Sequence, residues 1–410
     1  MSRRPDIIRE ALSQTSMPAV PAVLTPQPSR PILELHVSTE VPDDSCYHGG
    51  AFFEAIGDGF ETLYRRERII AADVLDAWFR PSPAVLTTLR AHLDWIVRTS
   101  PPTNGNGLVR AIARSRGVPA TSVVVGGGSS DLIHLAFTQW LRPESRVLVL
   151  DPMYGEYAHV LEQVVGCRVD RLTLCREQQY RVDMAELELA MRRGYDLVVL
   201  VNPNSPTGQH VPARALAEIV ARAPAATRVW IDETYVEYAG PDESLEPLAA
   251  VSDRLVICKS MSKVYALSGV RVAYLVTGAE SARALRRRTP PWAVGLPGQI
   301  AAVKALESRT HYRRYWTLTH RLRAGLAREL EAITGVEVVP GIANFLLVHL
   351  TPCLPDAATV VARCRAEGLY LRDAGRMCPS LGDRAIRITV CDRMTNQRLL
   401  EIFRRALGVC

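Results

Sequence analysis

The chain has 410 residues, a formal net charge of +6 and 48% hydrophobic residues. This length is too great for one small core and suits two domains, or one large α/β domain with an appendage. The charge is mild and no run of five or six like charges occurs, which argues against a nucleic-acid or membrane-surface partner. No run of eighteen apolar residues occurs, so the sequence predicts no membrane span.

The nine cysteines are an odd number and contain no C-x-x-C pair. This usage argues against a disulfide framework or a zinc site and favours a reducing, cytoplasmic location. The first residues, MSRRPDIIRE, are not followed by the apolar segment of a signal peptide, which supports the same expectation.

The N-terminal part is rich in proline over about its first 35 residues, which predicts an extended arm. Gly49-Gly50 predicts a turn. The spacing of four apolar residues after it is that of one helical face: Phe52, Phe53, Ile56 and Phe60. Two interpretations of this segment stay open, namely packing against the protein or a lid over a site.

From Ser122 onward, apolar strand-like runs alternate with helical patterns. This alternation predicts right-handed crossovers and a mostly parallel sheet flanked by helices. From about Leu296 the pattern changes to a long helical region and then to short strands and helices, which predicts a smaller α+β domain. Three parts are predicted. Residues 1–84 form an N-terminal arm and a substrate-side segment that joins the small domain. Residues 85–295 form the large domain, and residues 296–410 form the small domain.

Polar residues follow the predicted strands, where ligands bind in open α/β sheets. Ser129 and Ser130 begin a helix, so backbone N–H groups and hydroxyls there suit an anion, although plain N-capping is the alternative. Tyr154 can stack on a flat ring, and Asn202 can donate a hydrogen bond. Asp232 follows apolar residues, and a buried carboxylate needs a cationic partner such as a protonated pyridine nitrogen. An N-cap or a structural salt bridge is its alternative role.

Lys263 lies in a stretch of small and apolar residues. It follows Ser260 and Ser262 and precedes Arg271 by eight residues. Burial lowers the pKa of a lysine and makes its amine available for Schiff-base chemistry. The two hydroxyls and the arginine are suited to a phosphate group. A lysine, hydroxyls and a phosphate-binding arginine together point to pyridoxal phosphate. The alternative is a surface lysine beside a strand end.

Several motifs occur together in the order and at the spacing of the fold-type I pyridoxal-phosphate aminotransferases of class I/II: NPNSPTG, IDETYVEY, SMSK, GVR, NF and IRITV. Over about residues 74–408 the sequence resembles the histidinol-phosphate aminotransferase branch. The resemblance implies an aspartate-aminotransferase-like fold, with a seven-stranded type of sheet in the large domain and a smaller α+β domain.

The resemblance implies the cofactor contacts residue by residue. Lys263 forms the Schiff base and moves the proton, and Asp232 pairs with the pyridine N–H. Asn202 and Tyr235 donate hydrogen bonds to the ring oxygen, and Tyr154 stacks on the ring. The residues implied to hold the phosphate are Ser129, Ser130, Ser260, Ser262 and Arg271.

For the substrate, the resemblance implies that Arg387 binds the α-carboxylate through its two-pronged guanidinium. Arg372 matches an arginine that meets a distal phosphate in that branch; a structural or carboxylate-binding role is the alternative. Asn344 is implied to lie near the substrate. The chain departs from the family pattern in two motifs. Ser100-Pro101-Pro102-Thr103 replaces a Tyr-Pro motif whose tyrosine reaches the partner subunit's cofactor phosphate, and Leu75 to Phe79 replaces an asparagine- and glutamate-rich substrate motif.

The implied function is transfer of an amino group from an amino acid, through a Lys263 Schiff base and pyridoxamine phosphate, to a 2-oxo acid. The alternative is decarboxylation, elimination or replacement, cyclisation or C–C bond formation in specialised metabolism, because the cofactor supplies the chemistry common to all of these. An intact Lys263 argues against a third possibility, a cofactor-binding regulator without turnover. The family builds its site between two subunits, which implies a homodimer.

Overall fold

The structure, a computed structural model, describes residues 49–57 and 59–409, and most of the predicted N-terminal arm lies outside this range. The strands in the described part are, in chain order, β1 (Ile70–Ala71), β2 (Val123–Gly126), β3 (Arg146–Asp151), β4 (Arg168–Thr173), β5 (Leu197–Val201), β6 (Arg228–Asp232), β7 (Leu255–Ser260), β8 (Ala273–Val276), β9 (Val336–Val339), β10 (Phe345–Leu350), β11 (Leu369–Tyr370), β12 (Arg372–Asp373) and β13 (Ala385–Thr389).

The α-helices of the same part range from single turns to a helix of 23 residues. In chain order they are α1 (Phe52–Ile56), α2 (Pro83–Ala91), α3 (Leu93–Arg98), α4 (Asn106–Arg116), α5 (Ser129–Trp140), α6 (Gly155–His159), α7 (Met184–Met191), α8 (Ala213–Arg222), α9 (Glu246–Ala249), α10 (Ala279–Arg286), α11 (Leu296–Glu307), α12 (Arg309–Glu331), α13 (Ala357–Ala366), α14 (Ala374–Met377) and α15 (Arg393–Leu407). None of the described helices has the length and apolar content needed to cross a bilayer.

The large sheet has seven strands in the order β2-β8-β7-β6-β5-β3-β4. All neighbouring pairs from β7 to β4 are parallel, whereas β8 is antiparallel to both β2 and β7. Strands β5 and β7 are buried along their whole length, as expected for a sheet covered on both faces by helices. The predicted mostly parallel sheet with flanking helices is confirmed.

The direction of β8 matters for the site. Because parallel strands end at one edge of the sheet, the residues that follow β2, β3, β5, β6 and β7 meet there. Strand β8 runs the other way, so its beginning lies at this same edge. Arg271, two residues before β8, is therefore brought to the residues that follow the other strands.

The smaller sheet is antiparallel, in the order β12-β13-β10-β9. Its hydrophobic cluster is separate from that of the large sheet and includes Leu330, Val348 and Phe403. The short strand β1 pairs with β11 and adds Ile70 to this cluster, so the chain before α2 packs with the C-terminal part. The predicted α+β arrangement is confirmed, whereas the domain boundaries at 84/85 and 295/296 stay predictions.

The aromatic segment near the start of the described chain differs from the sequence prediction. The predicted single helical face is wrong, because α1 ends at Ile56 and Gly57 has a φ of 92°. Phe60 lies beyond the helix with a φ of 65°, and its ring meets that of Phe53 edge to face, with centroids 6.3 Å apart. Both rings are exposed in the described structure.

A cluster of buried charges ties β7 to the segment that follows β6. Lys259 points away from the site side of β7, and its Nζ lies 2.9 Å from Oε1 of Glu237, which also accepts a hydrogen bond from Arg116 at 2.7 Å. Glu246 and Glu233 complete the cluster. Burial raises the pKa of Glu233 to about 7, although Lys259 opposes the shift. The cluster holds the chain next to Asp232 in place from the opposite side of the sheet.

We expect Glu233→Gln to change the pH dependence of stability. The pKa of Glu233 rises on folding from its ordinary 4.5 to about 7, because burial disfavours the carboxylate. The folded protein therefore binds the extra proton, and this contribution is lost as pH rises through the folded pKa. From about pH 6 to about pH 8, the unfolding free energy of the wild type should fall by about 1 kcal/mol more than that of the variant. Urea denaturation of both proteins at both pH values measures these changes. An equal change in the two proteins would contradict the raised pKa of Glu233.

Candidate active site

A cavity of about 250 Å³ opens at the edge where the parallel strands end. Its wall brings together eleven of the thirteen residues that the sequence singles out: Ser129, Ser130, Tyr154, Asp232, Tyr235, Ser260, Ser262, Lys263, Arg271, Arg372 and Arg387. The other two, Asn202 and Asn344, lie outside the lining of this cavity.

One end of the cavity is suited to an anion. Ser129 is the first residue of α5, where backbone N–H groups point outwards, and Nη1 of Arg271 lies 3.4 Å from Oγ of Ser262. Oγ of Ser262 is 3.0 Å from Oγ of Ser260. Gly128, just before the helix, has a φ of 111°, and a Cβ there would lie 2.5 Å from the Arg271 guanidinium. Glycine is therefore required for the arginine to approach the helix this closely.

Asp232 is buried at the end of β6 and is held by three donors. Its Oδ1 accepts hydrogen bonds from the backbone N–H of Thr234 at 2.9 Å and from the Thr234 hydroxyl at 2.6 Å. Its Oδ2 accepts from the hydroxyl of Tyr157 at 2.8 Å, and this hydroxyl accepts in turn from the indole N–H of Trp230 at 2.9 Å. Burial raises the pKa of Asp232, and the Thr234 and Tyr157 hydrogen bonds oppose that rise.

Lys263 lies between the two halves of the cavity wall. Its ammonium donates to the carbonyl of Val74 at 2.7 Å and to Oδ1 of Asp76 at 2.9 Å. The Ser268 hydroxyl donates to the same carboxylate oxygen at 2.6 Å. Burial lowers the pKa of Lys263, while Asp76 opposes the shift. The stretch from Leu75 to Phe79, which departs from the family pattern, therefore supplies an acidic partner to the lysine.

Two tyrosines lie on the cavity wall. Tyr235 is buried against Phe345, with ring centroids 5.3 Å apart and nearly perpendicular planes. Burial raises its pKa, so its hydroxyl stays protonated and can donate a hydrogen bond. Tyr154 precedes α6, and its ring meets Tyr157 edge to face at 6.0 Å.

At the other end of the cavity, the antiparallel register places Arg372 directly opposite Arg387. The two Nη atoms of Arg387 donate to the backbone carbonyl of Asp73 at 2.9 Å and to Oγ of Ser205 at 3.1 Å. Burial lowers the pKa of Arg387 to about 10. The guanidinium is thus fixed in one orientation towards the cavity.

Asn202 is bonded within its own loop. Its side-chain amide donates to the carbonyl of Val211 at 2.9 Å and accepts from the N–H of Val211 at 2.8 Å. Its predicted hydrogen bond to the cofactor stays a prediction. Ser205, three residues later, lines the cavity. The place of Ser205 depends on the turn between Pro203 and Pro206, and strand-end position alone did not indicate it.

Asn344 lies behind the cavity wall, and its predicted place near the substrate stays a prediction. It is fully buried, and its Nδ2 donates to the carbonyl of Leu75 at 2.9 Å. It supports a segment that lines the cavity without lining it itself.

Sequence reasoning missed Thr234, Tyr157 and Asp73. The Asp-x-Thr spacing is a signal that could have found Thr234, because such side chains bond the backbone two residues on.

The family model described as "Aminotransferase class I and II" matches residues 82–403, more than half of the chain. The chain belongs to the aminotransferase class I and II family. This confirms the predicted enzyme class, a transferase that depends on pyridoxal phosphate. The match begins just after the segment that carries Asp76 and ends in α15.

This aminotransferase is 30% identical, over 311 residues, to histidinol-phosphate aminotransferase 1 of Cupriavidus pinatubonensis, covering 75% of this chain and 80% of the relative. It is 28% identical over 330 residues to threonine-phosphate decarboxylase of Salmonella typhimurium, covering 79% and 87%. In fold it is similar to the crystal structure of histidinol-phosphate aminotransferase from Sinorhizobium meliloti in complex with pyridoxal-5'-phosphate, with a TM-score of 0.74 and 21% identity, over 84% of this chain and 94% of the other. The predicted resemblance to the histidinol-phosphate aminotransferase branch is confirmed.

The residues of the aminotransferase fit pyridoxal phosphate at three points of its structure. The hydroxyls, helix start and guanidinium at the anion end suit the phosphate group, and the Gly128 contact shows that this cradle depends on close packing. The buried Asp232 suits a protonated ring nitrogen. Lys263 offers an amine to the aldehyde.

Tyr157→Phe should destabilise the aminotransferase by about 1–3 kcal/mol, because it leaves the buried Trp230 N–H without its acceptor and removes a donor to Asp232. Tyr195→Phe is the matched control, since it removes a hydroxyl that bonds Asp170, a half-exposed carboxylate that water can satisfy. Chemical denaturation near neutral pH compares the two variants. Equal losses would show that the Asp232 network contributes nothing beyond an ordinary hydroxyl contact.

Proposed function

We propose that this aminotransferase moves an amino group from an amino acid to a 2-oxo acid, with Lys263 as the residue that would hold pyridoxal phosphate. The observation that carries the proposal is the position of the Lys263 amine. It lies in the cavity wall, between the anion end and the two arginines, with its pKa lowered by burial. A lysine with a lowered pKa spends more time as the neutral amine, which is the form that reacts with an aldehyde.

Pyridoxal phosphate, when bound, supplies an aldehyde for the substrate amine and a ring that takes up electrons from the substrate Cα. The protein supplies the charge and the proton transfer. Asp232 would keep the ring nitrogen protonated, and Tyr157 and Thr234 orient the carboxylate through hydrogen bonds that favour its ionised form. The Lys263 amine would move a proton at the substrate Cα.

The proposed site for the substrate α-carboxylate is Arg387. Its side chain is buried, and its orientation is set by the Asp73 carbonyl and the Ser205 hydroxyl. A guanidinium fixed in this way can present two N–H groups to a carboxylate. Anchoring the carboxylate would hold the substrate Cα at a constant place relative to Lys263.

Decarboxylation is the second candidate function. It is supported by the similarity to threonine-phosphate decarboxylase, which is almost as great as that to the aminotransferases. Asp232 and Lys263 serve either reaction, because both begin with an amino acid on the same cofactor. The bond that breaks at Cα depends on how the carboxylate is held, and Arg387 is the residue through which the two functions would differ.

The experiment that distinguishes the two functions is a single turnover of the cofactor-loaded protein with a panel of amino acids. Pyridoxamine phosphate together with a 2-oxo acid would establish the amino-transfer half-reaction. Carbon dioxide and an amine, with the cofactor recovered as pyridoxal phosphate, would establish decarboxylation. Consumption of an amino acid with neither set of products would overturn both.

Lys263→Ala should remove the absorbance of lysine-bound cofactor and lower turnover by a factor on the order of 10³, because the variant lacks both the amine and the base. Lys304→Ala is the matched control, since Lys304 pairs with Glu307 on the surface, away from the cavity. Absorbance spectra and turnover of both variants test the assignment. A Lys263→Ala protein with the wild-type spectrum would show that another group holds the cofactor.

We also propose that the protein is a homodimer in the cytoplasm. Apolar side chains on and near α3 are exposed in the single chain, among them Leu93, Trp95 and Val97, and such a patch is typical of an interface. The free thiols of the described cysteines are compatible with a reducing compartment.

Sedimentation velocity of the cofactor-loaded protein should give a particle with twice the 45.3 kDa mass of one chain. The expected reason is burial of the apolar side chains around α3 between two subunits. A species with the mass of one chain at micromolar concentration would refute the proposed dimer.

A further inference from the structure

Two buried guanidiniums face each other at one end of the cavity. Arg372 on β12 and Arg387 on β13 are cross-strand partners, so their side chains start on the same face of the sheet. The side chains are 4% and 5% exposed. Like charges directly opposite each other are destabilising, and their burial makes a nearby negative charge necessary.

Asp73 supplies a negative charge at this place. It lines the same cavity and is 3% exposed; burial raises the pKa of its carboxyl group, and the charges of Arg372 and Arg387 oppose that rise. Its backbone carbonyl accepts a hydrogen bond from Arg387 at 2.9 Å. The side chain therefore belongs to the arginine end of the cavity and not to the surface.

The carboxylate of Asp73 is only partly used by the protein. Oδ2 accepts a hydrogen bond from the backbone N–H of Gly50 at 2.7 Å, whereas Oδ1 accepts none from the described residues. Gly49 packs so closely that a Cβ there would lie 2.5 Å from Cγ1 of Val74. The carboxylate is thus held through one of its oxygens, in the wall of the cavity that Arg372 and Arg387 also line.

We propose that Asp73 is a specificity-determining residue that limits the arginine end of the site to a substrate with a single carboxylate and disfavours a phosphate ester. The inference rests on the proposed function and specifies its substrate class. A carboxylate brings one negative charge to Arg372 and Arg387, whereas a phosphate brings nearly two. The Asp73 carboxylate already neutralises part of the positive charge of the two guanidiniums, and it repels the additional negative charge of a phosphate.

The similar proteins from Cupriavidus pinatubonensis and Salmonella typhimurium are named for phosphorylated compounds. The proposal therefore separates this chain from them in substrate class, although the arginines alone would suit either kind of anion. The competing explanation is structural: Asp73 would only balance two buried arginines and fasten Gly50. That role predicts a loss of stability on substitution without any change in ligand preference.

The first test compares matched ligands on the wild-type, cofactor-loaded protein. Threonine and O-phosphothreonine differ only in the phosphate, as do serine and O-phosphoserine. Titration of the cofactor absorbance measures the affinity of each. The phosphorylated member of each pair should bind about tenfold more weakly, because it brings additional negative charge close to Asp73. Equal or tighter binding of the phosphorylated members would overturn the proposal.

The second test uses Asp73→Asn, which keeps the size of the side chain and removes its charge. The affinity ratio within each pair should shift towards the phosphorylated ligand by about tenfold. Glu329→Gln is the matched control, because Glu329 is exposed on α12, where it pairs with Arg404, and its loss changes net charge without touching the cavity. An unchanged ratio in Asp73→Asn would show that the residue is only structural. If this variant does not fold, the wild-type ratios decide alone.

The outcomes also separate this proposal from the proposed function. The titrations need no turnover, so a charge preference is measurable even if no amino acid gives a 2-oxo acid or an amine. Turnover of unphosphorylated amino acids with equal binding of both pair members would retain the function and reject the role of Asp73. If no member of either pair changes the absorbance, the role of Asp73 is rejected as well.

Discussion

A carboxylate buried at the end of a sheet strand is stable as an anion only if donors surround it, and the site depends on how Asp232 meets this requirement. Thr234 and Tyr157 provide the donors, and Trp230 orients Tyr157 from within the core. Behind the strand, the cluster around Lys259 holds the neighbouring chain. The place of the Asp232 carboxylate is therefore set by the core of the large sheet.

The other parts of the site are arranged around this fixed point by strand direction. The parallel strands bring Ser129, Tyr154, Asp232 and Lys263 to one edge, and the reversed β8 adds Arg271 from the opposite direction. The small sheet contributes the arginines. The residues proposed to hold the cofactor thus belong to the large sheet, whereas those proposed to hold the substrate belong mainly to the small one.

Much of the fold and of the cofactor end of the site could be predicted from sequence, because alternating strands and helices place strand-end residues at one edge. Three features could not be predicted in this way. The place of Ser205 in the cavity wall depends on the path of a turn, and the contact of Asn344 with Leu75 depends on tertiary packing. Asp73 reaches the arginines from a segment more than 300 residues away from Arg387 in the chain, and no local pattern indicates such a contact.

The helix α12 packs into both hydrophobic clusters of the protein. Tyr312 near its start belongs to the hydrophobic cluster of the large sheet, whereas Leu326 and Leu330 near its end belong to that of the small sheet. At about 1.5 Å per residue, this helix is about 35 Å long, and each of its ends packs in a different core. Loss of structure in either core would remove the packing of one end of this helix, so the stabilities of the two parts are coupled through α12.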